Sequence, residues 1–93
     1  MSRLKEAVKW MEDMSMEPML LLGHEGEVDD FADAFIGVAK DSIAVYERDK
    51  VIEVFMNRDE MSYEEAIEWF DFNVQGAYVG EQTPLYIQTD FTD

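Results

Sequence analysis

The stretch Asp59-Glu60-Met61-Ser62-Tyr63-Glu64-Glu65-Ala66-Ile67-Glu68-Trp69-Phe70-Asp71-Phe72-Asn73-Val74 carries the strongest local signal in the sequence. Ser62, followed three residues later by Glu65, forms a capping box. The serine hydroxyl accepts from the Glu65 amide while the Glu65 carboxylate accepts from the Ser62 amide, so two donors at the helix start are satisfied reciprocally. Beyond the box, Tyr63, Ala66, Ile67, Phe70, Val74, Ala77 and Tyr78 recur at the three- and four-residue steps of one helical face, and Gly76 offers a stop. The pattern predicts a helix whose apolar stripe lies on a core.

Toward the amino terminus, Asp49 reads as the N-cap of another helix. Its apolar face is Val51, Ile52, Phe55 and Met56, and Asn57-Arg58-Asp59-Glu60 ends it. Before it, the apolar run Phe35 to Ala39 and the run Ile43-Ala44-Val45-Tyr46 are separated by Lys40-Asp41-Ser42, which predicts a β-hairpin. Asp29 or Asp30 caps one or two helical turns from Phe31 to Ala34. Nearer the start, Ser2 is an N-cap for a first helix carrying Leu4, Ala7, Val8, Met11 and Met14, with Pro18 as its latest end. Met19 to Leu22 reads as a short buried strand and Gly23 to Glu27 as an exposed loop. In the other direction, Leu85-Tyr86-Ile87 reads as a last strand joining the hairpin, and Gln88 to Asp93 as a frayed end. The expected fold is α+β: three helices packed on a small, mostly antiparallel sheet, in a single compact domain over residues 1–93.

The 93 residues include 22 acidic and seven basic side chains, no cysteine, and 47% hydrophobic residues, with a net charge of −15. That apolar content is too high for a disordered acidic tail, so the chain folds despite its charge. Without cysteine there is no disulfide framework, thiol nucleophile or zinc–thiolate site. The apolar run Met19-Leu20-Leu21-Leu22, like every other in the sequence, falls far short of the ~20 residues of a membrane helix. Anionic membranes and bare nucleic acid are repelled by such a charge, whereas basic proteins are attracted. The expectation is a cytoplasmic protein whose partners are proteins rather than membranes or nucleic acid.

Chemistry-bearing motifs are sparse. His24 lies among Glu25, Glu27, Asp29 and Asp30, but the spacing matches no register of a calcium loop, and a small metal-dependent enzyme at this loop is the weakest reading of the sequence. No nucleophile stands beside a base, and Gly76 to Gly80 has the wrong flanks for a phosphate loop. The sequence calls for no cofactor and no metal, and it predicts a non-enzyme.

The acidic side is the best lead. Residues 59–93 hold nine acidic residues and no basic one. At about 100° per residue, Glu64, Glu68, Asp71 and Gln75 fall opposite the apolar stripe, with Glu65 at the margin and Asp59 and Glu60 just ahead. Glu64 and Glu68, four apart, repel one another by a few tenths of a kcal/mol, so helix stability does not explain the pattern. One reading is a solvated face that serves solubility. Phe72 argues otherwise, projecting between Glu65 and Glu68, with Trp69 at the edge of the stripe. It is either an interface anchor rimmed by carboxylates or part of a second small core under the first helix or the carboxyl-terminal segment. The candidate partner-binding residues are Asp59, Glu60, Glu64, Glu65, Glu68, Trp69, Asp71 and Phe72.

From about Ala44 to Ile87 the chain resembles a family of short proteins encoded in bacteriophage and prophage genomes. The likeness is carried by Val45-Tyr46 with Asp49-Lys50, by Met61-Ser62-Tyr63-Glu64-Glu65-Ala66, by Phe72-Asn73, by Gly76-Ala77-Tyr78-Val79-Gly80-Glu81 and by Thr83-Pro84. Related chains have a glycine in the turn before the capping box, where this one has Glu60. The resemblance implies a phage-type origin and no mechanism. With the charge, it points to a binding protein of the host cytoplasm that occupies a basic host protein, in its strongest form a nucleic-acid mimic that inhibits a defence or DNA-handling protein. The alternative is an assembly module, a homodimer whose acidity serves only solubility.

Ser62→Ala is expected to lower stability by about 1 kcal/mol, the usual loss for an N-cap hydroxyl, read from urea unfolding of the two proteins. An unchanged midpoint would remove the capping box from the account.

Overall fold

The computed structural model describes residues 3–23, 28–40, 42–76, 80–89 and 91. Helix α1 (Arg3–Asp13) is followed by a 3-10 helix (Val28–Ala34), strands β1 (Phe35–Ala39) and β2 (Ile43–Glu47), and helices α2 (Arg48–Arg58) and α3 (Tyr63–Trp69). A π-helical segment (Phe70–Gln75) continues α3, and strand β3 (Leu85–Ile87) closes the sheet. The fold is α+β, a single compact domain with four helices among the described residues, counting the 3-10 helix, rather than three.

The sheet has the order β1-β2-β3. β1 and β2 form the antiparallel hairpin, with Phe35 opposite Tyr46 and Ala39 opposite Ile43, and a bulge between Phe35 and Gly37. β3 lies parallel to β2, with Val45, Tyr46 and Glu47 beside Leu85, Tyr86 and Ile87. The sheet is therefore mixed, not mostly antiparallel. β2 runs straight into α2, and the chain returns only after α3, entering the sheet in the same direction as β2.

Leu4, Phe31, Phe35, Tyr46, Val51, Ile52, Phe55, Ala66, Phe70 and Val74 belong to one buried cluster. Tyr46, 0% exposed, is its middle. Its ring stacks on Tyr86 at 6.0 Å and meets Phe35 edge-on at 5.7 Å, and Tyr86 meets Phe70 at 5.1 Å. The Tyr46 hydroxyl accepts from the Leu22 amide at 3.0 Å. That bond holds Met19 to Leu22 against the core in irregular, non-strand backbone, so the expected strand there is not formed.

Several boundaries differ from expectation for identifiable reasons. α1 ends at Asp13, with Met14 exposed and outside it. The Ser15 amide donates to Glu12 and the Met16 amide to Met11, with Ser15 at φ 57°, the left-handed termination known as a Schellman motif. α2 begins one residue before Asp49, which sits in its first turn, and Glu47 precedes the helix with no side-chain cap. Ser42 (φ 61°) supplies the left-handed residue of the hairpin turn, and Glu60 (φ 54°) that of the corner between α2 and α3. A glycine would take the conformation at Glu60 without strain. The capping box forms as read: Glu65 N–H donates to the Ser62 hydroxyl at 3.2 Å and Ser62 N–H to the Glu65 carboxylate at 3.1 Å. Tyr63, assigned to the core stripe by spacing, is 56% exposed, leaving Ala66, Phe70 and Val74 to carry it. Ala77 and Tyr78, Ser2 and the His24 to Glu27 loop lie outside the described residues.

Burial pushes the pKa of both the Tyr46 and Tyr86 phenols up, opposed at Tyr46 by the Leu22 bond and reinforced at Tyr86 by its neighbour Tyr46. A folded-state pKa raised above the unfolded value of about 10 means full stability below that pH and loss as pH rises above it. Urea midpoints are thus expected to drop between pH 8 and pH 11. Tyr86→Phe, which keeps the ring, should make that drop smaller, and an equal drop would show that the phenol titrates as it does in the unfolded chain.

Candidate functional site

Each of the two arginines at the ends of α2 is held by rings and carboxylates of this chain. The Arg58 guanidinium donates to Asp59 at 2.9 and 3.0 Å, reaches Asp30 at 3.3 Å, and lies 5.2 Å and 5.7 Å from the Phe31 and Phe55 ring centres. Hydrogen bonding from Arg58 holds the Asp59 carboxyl below the usual carboxylate range. The Arg48 guanidinium sits 5.5 Å from the Phe70 ring centre, with Asp49 at 3.7 Å and Asp71 at 4.0 Å.

These contacts divide the expected acidic face. Asp59 is bound to Arg58, and Asp71 turns toward Arg48 instead of joining Glu64 and Glu68. From Phe70 the backbone is π-helical, and its wider i→i+5 turn advances each residue by less than the ~100° of an α-helix. Sequence spacing carried no sign of this change of period.

Other candidates share one side of the helix at ordinary α-helical spacing. Glu65, Glu68, Trp69 and Phe72, with Met61 and Asn73, line a recess of about 300 Å³ on the outside of α3 and its continuation. Phe72 is 76% exposed and Trp69 46%, so no described segment covers Phe72 as a second core. Glu64 is exposed on the same helix but does not line the recess, and Glu60 stands at the corner before it. Hydrogen bonding from the Ser62 amide, and secondarily from its hydroxyl, holds Glu65 below the usual carboxylate range, so it stays charged in mild acid. Met61 and Asn73 were missed in the sequence: Met61 precedes the helix, and Asn73, four residues after Trp69 and beside it on the helix, carries no charge or ring to mark it.

Behind Trp69 lies a more enclosed cavity of about 520 Å³, bounded by Leu20 to Gly23, Phe55, Val74 and Tyr86; Trp69 and Asn73 line both spaces. Among the described residues no group of three or more acidic or histidine side chains is placed to hold a metal ion, and no helix is long and apolar enough to cross a membrane. The arrangement offers no nucleophile and base in contact; what it offers is charge, two exposed rings and a shallow depression. The chain matches no family model, no curated protein and no solved structure.

Two substitutions that each remove one negative charge from this helix should separate its two sides. Glu68→Gln relieves repulsion from Glu64 and is expected to leave stability unchanged or raise it by a few tenths of a kcal/mol. Asp71→Asn removes the exposed pair with Arg48 and should lower stability by a few tenths. Identical shifts in thermal unfolding would mean that Asp71 has no pairing role.

Proposed function

We propose that this chain is a non-enzymatic binding protein that occupies a basic surface of another protein through the outer face of α3. The observation that carries the reading is the exposure of Trp69 and Phe72 beside Glu65 and Glu68, on a molecule of net charge −15. A large negative charge speeds encounter with a basic surface, and desolvated rings slow its release. Glu64 and Glu60 add to the long-range field, whereas Asp59 and Asp71, tied to arginines of their own chain, contribute less. The phage-type origin, implied by the residues from Met61 to Pro84, makes the partner a bacterial host protein. The strongest form of the reading is a nucleic-acid mimic that blocks a DNA-handling or defence protein.

A second reading, a homodimer, is favoured by a different face. On the side of the sheet away from the core, Gly37, Ile43, Val45, Leu85 and Ile87 are neighbours by register, and Leu85 and Ile87 are exposed. Its apolar strip, edged by Glu47 beside Ile87 and by Glu17 and Glu81 near Ile43 and Leu85, is the surface on which a copy of the chain would pack.

The immobilised protein should retain a discrete basic protein from a bacterial lysate at low salt, released by raising the salt or by adding duplex DNA. A triple variant, Glu64→Lys, Glu68→Lys and Phe72→Ala, should retain it at least tenfold less. Unchanged capture by the triple variant sinks the proposal, and light scattering of the unbound protein at twice its chain mass would move the assignment to the homodimer.

A further inference from the structure

The recess on α3 repeats the chemistry with which this chain grips its own arginines. At Arg58 the guanidinium lies over Phe31 and Phe55, with Asp59 and Asp30 as acceptors; at Arg48 it lies over Phe70, with Asp49 and Asp71. In each case one or two rings supply a face and two carboxylates flank it. The recess offers Trp69 and Phe72 as rings, Glu65 and Glu68 as carboxylates, the Asn73 amide as a further acceptor and the Met61 thioether as an apolar wall, and none of these lining residues is basic.

We infer that this recess is an arginine subsite, which takes one guanidinium side chain from a basic segment of a partner protein. The inference rests on the reading of α3 as a partner-binding face and names the group that face recognises. Arginine fits better than lysine for geometric reasons. A planar guanidinium stacks on an aromatic face and still points its edge N–H groups at flanking carboxylates, whereas a strongly hydrated ammonium meets the charge but not the stack. Tryptophan is the best ring for this contact, and Trp69 stands half-exposed in the recess, open to a guanidinium. Of the two carboxylates, Glu65 has one oxygen fixed by the Ser62 amide, which orients the group before any partner arrives. Charge complementarity sets the occupant: the residues from Asp59 onward contain no base that could fill the site from the same segment.

The test uses capped tripeptides Gly-Arg-Gly, Gly-Lys-Gly and Gly-citrulline-Gly added to the full chain carrying Trp10→Phe, so that Trp69 is the only tryptophan and Trp10, which is exposed, is not needed for the core. Trp69 fluorescence and its indole N–H resonance report binding. The arginine peptide is expected to bind about three- to tenfold more tightly than the lysine peptide, and the citrulline peptide to show no saturable change. Phe72→Ala and Glu68→Gln should each weaken arginine binding at least threefold. Glu64→Gln removes the same charge outside the recess and should weaken it less than Glu68→Gln does. Equal binding of arginine and lysine, or equal losses at Glu64 and Glu68, would reduce the site to diffuse electrostatics and overturn the inference, while leaving the acidic-face proposal standing. Arginine selection together with lysate capture indifferent to charge reversal would do the reverse.

Discussion

The burial of Tyr46 is the constraint on which the rest of the molecule depends. Its ring joins the hairpin to Phe35 on one side and, through Tyr86 and Phe70, to β3 and α3 on the other. Its hydroxyl satisfies the Leu22 amide, which belongs to a segment in no ladder of its own. A buried N–H without a partner costs about 1–3 kcal/mol, so this one oxygen decides whether Met19 to Leu22 can lie against the core at all. Three strands, a helix and an irregular segment thus converge on one side chain.

The distribution of charge follows from that packing. Phe31, Phe55 and Phe70 turn ring faces to the ends of α2, where Arg48 and Arg58 cover them and are held in turn by Asp30, Asp49, Asp59 and Asp71. Arg48 stands in the first turn of α2, where the helix dipole disfavours a cation, so the ring and carboxylates are what hold it. The acids of these clamps are partly neutralised by their arginines, whereas Glu64 and Glu68 stand exposed on α3.

Where a single residue or spacing carried the information, the sequence was legible. The capping box placed the start of α3 to the residue, the three-residue turn placed the hairpin, and the exposed Phe72 was visible as an apolar residue on the wrong side of a helical wheel. What escaped was set by tertiary contacts. The parallel direction of β3 depends on how the chain returns through two helices, and no property of Leu85-Tyr86-Ile87 states it. Met19 to Leu22 has strand composition but joins neither edge of the sheet, and a tyrosine hydroxyl bonds its Leu22 amide in place of a ladder. The π-helical segment was also unseen, because a helical wheel assumes one period throughout and the chain changes period at Phe70.

The parallel pairing of β3 with β2 also orders events in time. The hairpin, α2 and the turn into α3 are built from contacts between near neighbours in sequence, which form fast because little chain must be closed. β3 has three residues, and its partners Val45 to Glu47 lie across the whole of α2 and α3. So short a strand cannot hold its place before the helices between have condensed. Until β3 docks, β2 presents an open sheet edge, and the seating of Tyr86 against Tyr46 is the step that closes it.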